Sequence, residues 1–274
     1  SGTKRRFFPV GMSALPPTLS LQAKRGSSAL IPMQLIEGDC LAVLPTLPER
    51  SVDLVLADPP YGMTRNAWDC PIDLQQLWPA LYRVCKPSAA MLFTAAPPYD
   101  KLLAMSNIKH YRYDWVWEKG NATGHLNASR MPLKAHENVC VFYREVPTYN
   151  PQKTSGHKPV NSFYTRHSGG NYGSADAVRI GGGSTERFPR TVIRFSSDKQ
   201  TRGGHSTQKP LSLLRYLIRT YSNPGDTVLD FCMGSGSTAE AAISEGRAFI
   251  GIELRGVENV RAALSAPSTE KGRG

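Results

Sequence analysis

Residues 227–238 read Thr-Val-Leu-Asp-Phe-Cys-Met-Gly-Ser-Gly-Ser-Thr, an apolar run followed by a glycine-rich turn. The run predicts a strand that ends at Asp230, and the small residues after the glycines predict the start of a helix. Gly234, Gly236 and Ala239 fit the Gly-x-Gly-x-x-Gly/Ala spacing of a turn that binds a nucleoside. Glycine allows such a tight turn and lets a ligand approach the backbone. The stretch therefore predicts a strand–turn–helix unit that holds a nucleoside.

The residues around this turn narrow the choice of nucleoside. Glu253 follows the next predicted strand, where a carboxylate can accept hydrogen bonds from both ribose hydroxyls. The turn alone fits NAD and S-adenosylmethionine alike, and a glycine turn can also serve only strand–helix packing. Asp230 favours S-adenosylmethionine, because a carboxylate at the strand end disfavours a pyrophosphate but suits the methionine ammonium.

Strands alternate with helices along most of the chain. Apolar runs bounded by breakers predict strands at 34–37, 52–57, 91–94, 111–117, 138–143, 227–230 and 248–252, and helices at 41–44, 77–85, 210–221 and 238–245. Such alternation is typical of a Rossmann-like, doubly wound α/β fold with a mostly parallel sheet. We expect seven strands in this sheet, with the 52–57 strand beside the 227–230 strand.

The tetrapeptide Asp58-Pro59-Pro60-Tyr61 follows the 52–57 strand, at the carboxyl end where doubly wound sheets carry their sites. An exocyclic amine on adenine or cytosine is a poor nucleophile because its lone pair is delocalised into the ring. Asp58 and the carbonyl oxygen of Pro59 can accept hydrogen bonds from its two N–H groups and aim the lone pair at a methyl group. The prolines stiffen the turn, and the Tyr61 ring can stack on a flipped base. The alternative is an ordinary proline turn at a strand end.

Two further observations limit this chemistry. A second copy, Ala96-Pro97-Pro98-Tyr99, also follows an apolar strand but has Ala where the polar acceptor is needed, so we interpret it as structural. No Pro-Cys dipeptide occurs, which argues against methylation of cytosine carbon 5 through a cysteine nucleophile.

The net charge of +11 is concentrated in two segments. Residues 1–32 carry five Lys/Arg and no acidic residue, residues 147–204 carry nine Lys/Arg and three Asp/Glu, and the rest carries nineteen of each. Between 147 and 204 the apolar pattern dissolves into Gly, Ser, Asn and Pro, with aromatic residues between the basic ones. Two localised basic segments beside a neutral body indicate a polyanionic partner.

The remaining composition points to the cell interior. The five cysteines are odd in number, have no Cys-x-x-Cys spacing and lie in no cluster of ligands. We therefore expect free thiols in a reducing cytoplasm and no metal site. No apolar run reaches the roughly 18 residues of a membrane span, and the first residues lack the apolar stretch of a secretory signal.

Three elements occur in a fixed order: Asp58-Pro59-Pro60-Tyr61, the basic segment 147–204 and the glycine turn 230–238. Between the last two lies His205-Ser206-Thr207-Gln208-Lys209-Pro210. The elements and their order resemble the amino-methyltransferases of DNA in the permuted class called β. The corresponding motif of that family is His-Pro-Thr-Gln-Lys-Pro, and this chain differs from it only at Ser206. The resemblance covers about residues 33–265.

The resemblance implies a division of the chain. Residues 33–146 would form the catalytic half of the methyltransferase domain, 147–204 a target-recognition insertion and 205–265 the cofactor-binding half. These segments would lie between a basic, mostly disordered arm at 1–32 and a flexible tail at 266–274.

The resemblance also implies roles for residues. The catalytic residues are Asp58, Pro59, Pro60 and Tyr61. The cofactor site comprises residues from four motifs, namely Asp39, Cys40, Thr207, Lys209, Asp230, Gly234, Gly236, Ser237, Thr238 and Glu253. From their charge, the residues assigned to DNA are Lys153, Lys158, Arg166, Arg179, Arg187, Arg190 and Lys199. Asp39 can instead cap the following helix, and Thr207 and Lys209 can belong to a plain helix-entry loop.

The implied activity is transfer of a methyl group from S-adenosylmethionine to adenine N6 in double-stranded DNA, in a prokaryotic or phage-encoded setting. Cytosine-N4 enzymes more often carry Ser in place of Asp58. An RNA methyltransferase fits the permuted order and basic insertion less well. An NAD oxidoreductase leaves the 58–61 motif unexplained, and a non-catalytic DNA-binding module explains only the charge. The resemblance is also compatible with a homodimer.

Overall fold

One large sheet organises the part of the chain that this computed structural model describes, residues 19–22, 30–62, 69–163, 180–196 and 209–265. Its nine strands are β1 (Leu19–Gln22), β2 (Leu30–Glu37), β3 (Val52–Ala57), β4 (Cys85–Ala95), β5 (Tyr111–Thr123), β6 (Lys134–Phe142), β9 (Val192–Phe195), β10 (Thr227–Asp230) and β11 (Ala248–Glu253). A separate two-stranded ribbon pairs β7 (Val160–Phe163) with β8 (Ile180–Ser184).

The helices connect these strands and cover the sheet. They are α1 (Cys40–Val43), α2 (Leu74–Val84), α3 (Tyr99–Ser106), α4 (Leu211–Tyr221), α5 (Ser237–Ser244) and α6 (Val257–Ser265), with short 3-10 turns at Leu44–Thr46 and His125–Asn127. Among the described helices, none is long and apolar enough to span a bilayer.

The strand order is β1-β2-β11-β10-β3-β4-β6-β5-β9. Five of the eight neighbouring pairs are parallel, and β1–β2, β4–β6 and β5–β6 are antiparallel. Strand β3 lies beside β10, with Leu54 opposite Val228 and Val55 opposite Leu229. The predicted adjacency of these strands is confirmed, and it brings Asp58 and the glycine turn to the same edge of the sheet.

Apolar residues pack on both faces of the sheet. In β3, Val55 packs with α2 on one face, whereas Leu54 and Leu56 pack with α4 and α5 on the other. A strand that is buried on both faces needs a continuous apolar stretch, which explains the run at 54–57, and the one charged residue, Asp53, lies near the start of the strand and pairs with Lys86. The doubly wound, mostly parallel architecture therefore agrees with the prediction.

The expected number of strands was wrong, because two more strands extend the edges of the sheet. β1 pairs antiparallel with β2, and β9 pairs parallel with β5. β2 also begins at Leu30 and buries Ile31, so the patterned body starts before Met33. The expectation of a mostly disordered arm is therefore corrected for 19–22 and 30–32. The rest of this arm and the tail at 266–274 lie outside the described residues.

The segment 147–204 contains more order than its sequence pattern predicts. Its first part is fixed to α4, because the Asn150 amide nitrogen donates to the carbonyl oxygens of Arg219 and Ser222, both at 3.1 Å. Its last described part supplies β9 to the main sheet. This order depends on contacts with distant elements, which local composition does not reveal.

Candidate active site

Asp58 directly follows β3, at the carboxyl edge of the sheet. Its Oδ1 accepts hydrogen bonds from the hydroxyl of Tyr61, at 2.7 Å, and from the hydroxyl of Thr94 on β4. The Asp58 side chain is nevertheless 36% exposed. Neighbouring groups therefore orient the carboxylate and leave part of it open to an incoming molecule.

A charge chain, consisting of Asp58, Lys209, Glu137 and Lys119, joins this carboxylate to β6 and β5. Lys209 Nζ lies 3.0 Å from Asp58 Oδ2 and 3.0 Å from Glu137 Oε2. The other Glu137 oxygen, Oε1, contacts Lys119 Nζ. Lys209 was assigned to the cofactor, but its described contacts are with the two carboxylates. Its contact with the cofactor stays a prediction.

Tyr61 lies between this carboxylate and a second aromatic ring. The rings of Tyr61 and Tyr99 are stacked, with centroids 5.0 Å apart and planes inclined by 28°. Burial and the charge of Asp58 raise the pKa of Tyr61, so its hydroxyl stays protonated and can donate to Asp58. Tyr99 is 5% exposed and comes from the second Pro-Pro-Tyr copy, which agrees with a structural role for that copy.

The glycine turn lies between β10 and α5. Gly234 and Gly236 have φ angles of +51° and +83°, in the left-handed region that favours glycine. A Cβ added at Gly236 would lie 2.4 Å from Val260 Cγ1, whereas one at Gly234 would meet nothing within 4 Å. Gly236 therefore permits close packing against α6, and Gly234 leaves room beside the backbone. This room fits the approach of a nucleoside.

Glu253 ends β11 and braces the glycine turn. Its Oε2 accepts a hydrogen bond from the Gly234 amide at 2.8 Å, and its Oε1 accepts one from the Leu254 amide at 3.0 Å. The carboxylate is thus oriented at the turn, as a partner for ribose hydroxyls requires. Its binding role stays a prediction.

Asp230 is the buried carboxyl group of this site, only 2% exposed. Burial raises its pKa to about 7, although hydrogen bonds from Thr238 and from the Cys232 amide oppose the shift. A buried carboxylate without a cation is costly, and a neighbouring ammonium would stabilise it. Asp230 thus fits the methionine ammonium of S-adenosylmethionine. Ser237 and Thr238 begin α5 beside it.

Asp39 caps a helix, as the alternative interpretation proposed. Its Oδ1 accepts a hydrogen bond from the Leu41 amide at 2.8 Å, at the start of α1. Burial raises the pKa of the Cys40 thiol to about 12, which keeps it neutral. Both residues lie near the glycine-turn edge, since the Gly38 amide donates to the Glu253 carbonyl oxygen at 2.9 Å. Their contact with the cofactor stays a prediction.

The predicted DNA-contacting residues are divided between paired and open positions. Lys153 pairs with Glu186 at 2.9 Å and lies over the Phe188 ring. The Arg187 guanidinium donates to the carbonyl oxygens of Ser184 and Glu186, at 3.0 and 2.8 Å, and to that of Lys158. Arg187 therefore stabilises its own segment, and its contact with DNA stays a prediction.

Lys158 and Arg190 are both exposed. The other predicted site residues lie outside the described part of the chain, namely Arg166, Arg179, Lys199 and Thr207.

Sequence reasoning missed Thr94, Glu137 and Lys119. Thr94 stands at the end of a predicted strand without a motif of its own, and Glu137 and Lys119 come from two antiparallel strands. Parity along a strand could have identified which of these polar residues share a face. Their convergence on Asp58 depends on the pairing of β4, β5 and β6, which no local pattern specifies. Within the described ranges, no three His, Cys, Asp or Glu side chains are grouped as metal ligands.

A doubly wound sheet with an acidic proline turn and a glycine turn on adjacent strands defines a class of enzyme. The model of the N6/N4 methyltransferase family, described as DNA methylase, matches residues 52–258. The chain belongs to this family of S-adenosylmethionine-dependent DNA methyltransferases, which act on adenine N6 or cytosine N4.

Two relatives from Escherichia coli K12 are similar over most of their length. The chain is 30% identical over 241 residues to the DNA adenine methyltransferase YhdJ, an alignment that covers 80% of this chain and 78% of the relative. It is 27% identical over 237 residues to the putative methylase YubD, covering 81% of this chain and 84% of the relative.

Solved structures have the same fold. The M1.HpyAVI–SAM complex matches with a TM-score of 0.58 and 22% identity, covering 85% of this chain and 100% of that chain. The cytosine-N4-specific PvuII DNA methyltransferase matches with a TM-score of 0.59 and 16% identity, covering 88% of each chain. At these identities the similarity establishes the fold alone.

Proposed function

We propose that this chain methylates the N6 amine of adenine in double-stranded DNA, with S-adenosylmethionine as the methyl donor. The observation that carries the proposal is the carboxylate of Asp58, oriented by Tyr61 and Thr94 at the sheet edge beside the glycine turn. The choice of adenine is supported by Asp at position 58 and by the 30% identity to a relative named DNA adenine methyltransferase.

Asp58 would act on the target amine by accepting a hydrogen bond from one of its N–H groups. The carbonyl oxygen of Pro59 would accept the other, so that the nitrogen lone pair is drawn out of the ring and aimed. Two hydrogen bonds already fix Asp58 Oδ1, which lowers the cost of orienting the carboxylate when the base arrives. The base would stack on the face of the Tyr61 ring that Tyr99 leaves free.

Asp230, Gly234 and Glu253 would hold the cofactor. The buried Asp230 carboxylate would pair with the methionine ammonium, and Glu253 would accept from the ribose hydroxyls. When bound, S-adenosylmethionine supplies an electrophilic methyl group on a positively charged sulfur. No strong base is required, because an N-methylated ammonium loses its proton readily to water. Tyr61 is therefore not needed as a base, and its protonated hydroxyl serves as a hydrogen-bond donor to Asp58.

The segment 147–204 would bind the DNA. Lys158 and Arg190 are exposed and can reach phosphates, which supply affinity without sequence information. The aromatic residues of the segment, such as Phe188 at 66% exposure, can contact bases or sugars. A homodimer remains compatible with this arrangement.

The test is a nucleoside analysis of methylated DNA. Purified protein is incubated with S-adenosylmethionine and unmethylated genomic DNA, and the digested nucleosides are separated by mass spectrometry. We expect N6-methyldeoxyadenosine, and methylation-sensitive sequencing of the same DNA gives the recognised site. Appearance of N4-methyldeoxycytidine alone would replace adenine by cytosine as the target, while an unmodified product would reject the proposed activity.

A further inference from the structure

We propose that Glu137 is a positioning residue for methyl transfer, because it holds the Lys209 ammonium to one side of Asp58 and keeps an acceptor site on that carboxylate open. The proposal rests on the proposed role of Asp58 as acceptor of the target amine. Glu137 lies on β6, belongs to no motif and would not itself touch the base.

The Lys209 ammonium forms an ion pair with each of two carboxylates. Lys209 Nζ lies 3.0 Å from both Asp58 Oδ2 and Glu137 Oε2. The Lys209 and Glu137 side chains are only 13% and 15% exposed, so solvent screens this pairing weakly. The positive charge of Lys209 therefore lies between two carboxylates at equal distance.

Glu137 is itself held from its other side. Its Oε1 contacts Lys119, and the register of β5 and β6 sets Glu137 opposite Trp117, which is 4% exposed. Lys119 Nζ also lies 5.6 Å from the centre of the Trp117 ring. The carboxylate of Glu137 is therefore anchored to a buried part of the sheet, and it can anchor Lys209 in turn.

Lys209 and Glu137 keep their charges. Burial lowers the pKa of Lys209, but Asp58 and Glu137 outweigh burial and raise it above its ordinary value. Burial raises the pKa of Glu137, but Lys209 and Lys119 outweigh burial and lower it. Lys209 therefore remains an ammonium and Glu137 a carboxylate at neutral pH.

The number of acceptor sites on Asp58 explains why sharing matters. An ionised carboxylate offers about four lone-pair sites. Tyr61 and Thr94 donate to Oδ1, and the Lys209 ammonium lies 3.0 Å from Oδ2. The target amine would therefore share Oδ2 with this ammonium. Without the charge of Glu137, the ammonium would centre on Asp58 and compete for that site.

The first experiment compares Glu137→Gln with Lys86→Gln. Lys86 pairs with Asp53 at 2.5 Å near the opposite end of β3, so its substitution removes a more exposed ion pair far from the site. We expect Glu137→Gln to lower kcat roughly ten-fold or more, the scale of one charge-assisted hydrogen bond. Binding of S-adenosylhomocysteine by calorimetry should change less than about two-fold. Lys86→Gln should change neither quantity.

A second comparison tests whether Glu137 acts through Lys209. Because removal of Lys209 removes the competition, Glu137→Gln should cause no further loss of kcat in a Lys209→Gln background. If Glu137 had a purely structural role, the kcat losses of Glu137→Gln and Lys209→Gln would multiply in the double variant. The melting temperature would then fall in parallel. Multiplied losses, or a Glu137→Gln enzyme with kcat within about two-fold of the wild type, would overturn the proposal.

Two further variants keep the test decisive. If Glu137→Gln does not fold, Lys119→Met with Glu137→Met removes the ion pair as a unit, which often costs little stability, and must lower kcat equally. Asp58→Ala separates the two proposals. An active Asp58→Ala enzyme would refute the proposed role of Asp58 and this inference with it. An inactive one beside a fully active Glu137→Gln enzyme would refute the inference alone.

Discussion

Asp230 shows how one residue can make cofactor binding depend on pH. Its folded-state pKa of about 7 lies above the ordinary value of 3.8 for an aspartic acid, and burial is the main cause. Between these two values the folded protein binds the extra proton, so Asp230 lowers the free energy of unfolding progressively as pH rises from about 4 to 7. The charged form is the one that a methionine ammonium would stabilise.

We therefore expect S-adenosylhomocysteine to bind roughly ten-fold more tightly at pH 7 than at pH 5.5, because the ionised fraction of Asp230 rises over this range. Asp230→Asn should bind weakly and lose most of this pH dependence. Calorimetric titration of both proteins at the two pH values measures the effect. An equal pH dependence in Asp230→Asn would assign the titration to another group.

The sequence predicted the position of most residues in the candidate site, because the motifs that contain them are local. Asp58, Tyr61, Asp230 and Glu253 each stand at a strand end, and parallel strands bring their carboxyl ends to one edge. Glu137 was not predictable in this way. It lies within a strand, and its partner Lys209 is distant in sequence.

At the scale of elements, the glycine turn separates packing from ligand access. An alanine at Gly236 would place Cβ 2.4 Å from Val260 Cγ1 at a φ of +83°, whereas one at Gly234 would face open space at a φ of +51°. Both substitutions strain the backbone, but only the first displaces α6. Gly236 is thus required for packing of the turn against α6, and Gly234 leaves room for a ligand beside the backbone.

Gly236→Ala should therefore lose about 2–4 kcal/mol of unfolding free energy, and Gly234→Ala about 1–2 kcal/mol. Gly234→Ala should weaken cofactor binding more than Gly236→Ala does, although it costs less stability. The reason is that its methyl group enters the space beside the backbone where the cofactor would bind. Urea unfolding and calorimetry on both variants provide the comparison. A larger loss of stability in Gly234→Ala would contradict the division of roles.

Central elements were easier to predict from sequence than edge elements. β3 is buried on both faces, so its apolar run matched the predicted bounds of 52–57. β1 and β9 are short edge strands of four residues each, and their existence depends on pairing with β2 and β5. Tertiary pairing of this kind overrides local composition.

For the whole molecule, the separation of charge predicts how DNA binding responds to salt. The segment 147–204 carries a net charge of +6, while the body outside it and the first 32 residues is neutral. Neutralising Lys158 and Arg190 together should weaken DNA binding and reduce the salt slope by about one unit for each lost phosphate contact. Cofactor affinity should not change.

Lys153→Gln is the matched control, because Lys153 already pairs with Glu186 and should contribute less to the slope. Fluorescence anisotropy on a labelled duplex over a range of salt concentrations measures each slope. If the salt slope of DNA binding stays unchanged after Lys158 and Arg190 are neutralised, these residues do not contact DNA phosphates. The other basic residues of the segment and the basic arm at 1–32 then become the candidates.

The central claim is that Asp58 and the glycine turn, on the adjacent strands β3 and β10, form one site with divided roles. The most direct measurement is methyl transfer and S-adenosylhomocysteine binding on the same preparation of Asp58→Ala. We predict that transfer of labelled methyl groups to DNA falls by at least about a hundred-fold, the scale of losing one preorganised acceptor. Cofactor affinity should stay within a few-fold of the wild type, because Asp230, Gly234 and Glu253 are intact. Near-normal methyl transfer by Asp58→Ala would contradict the account.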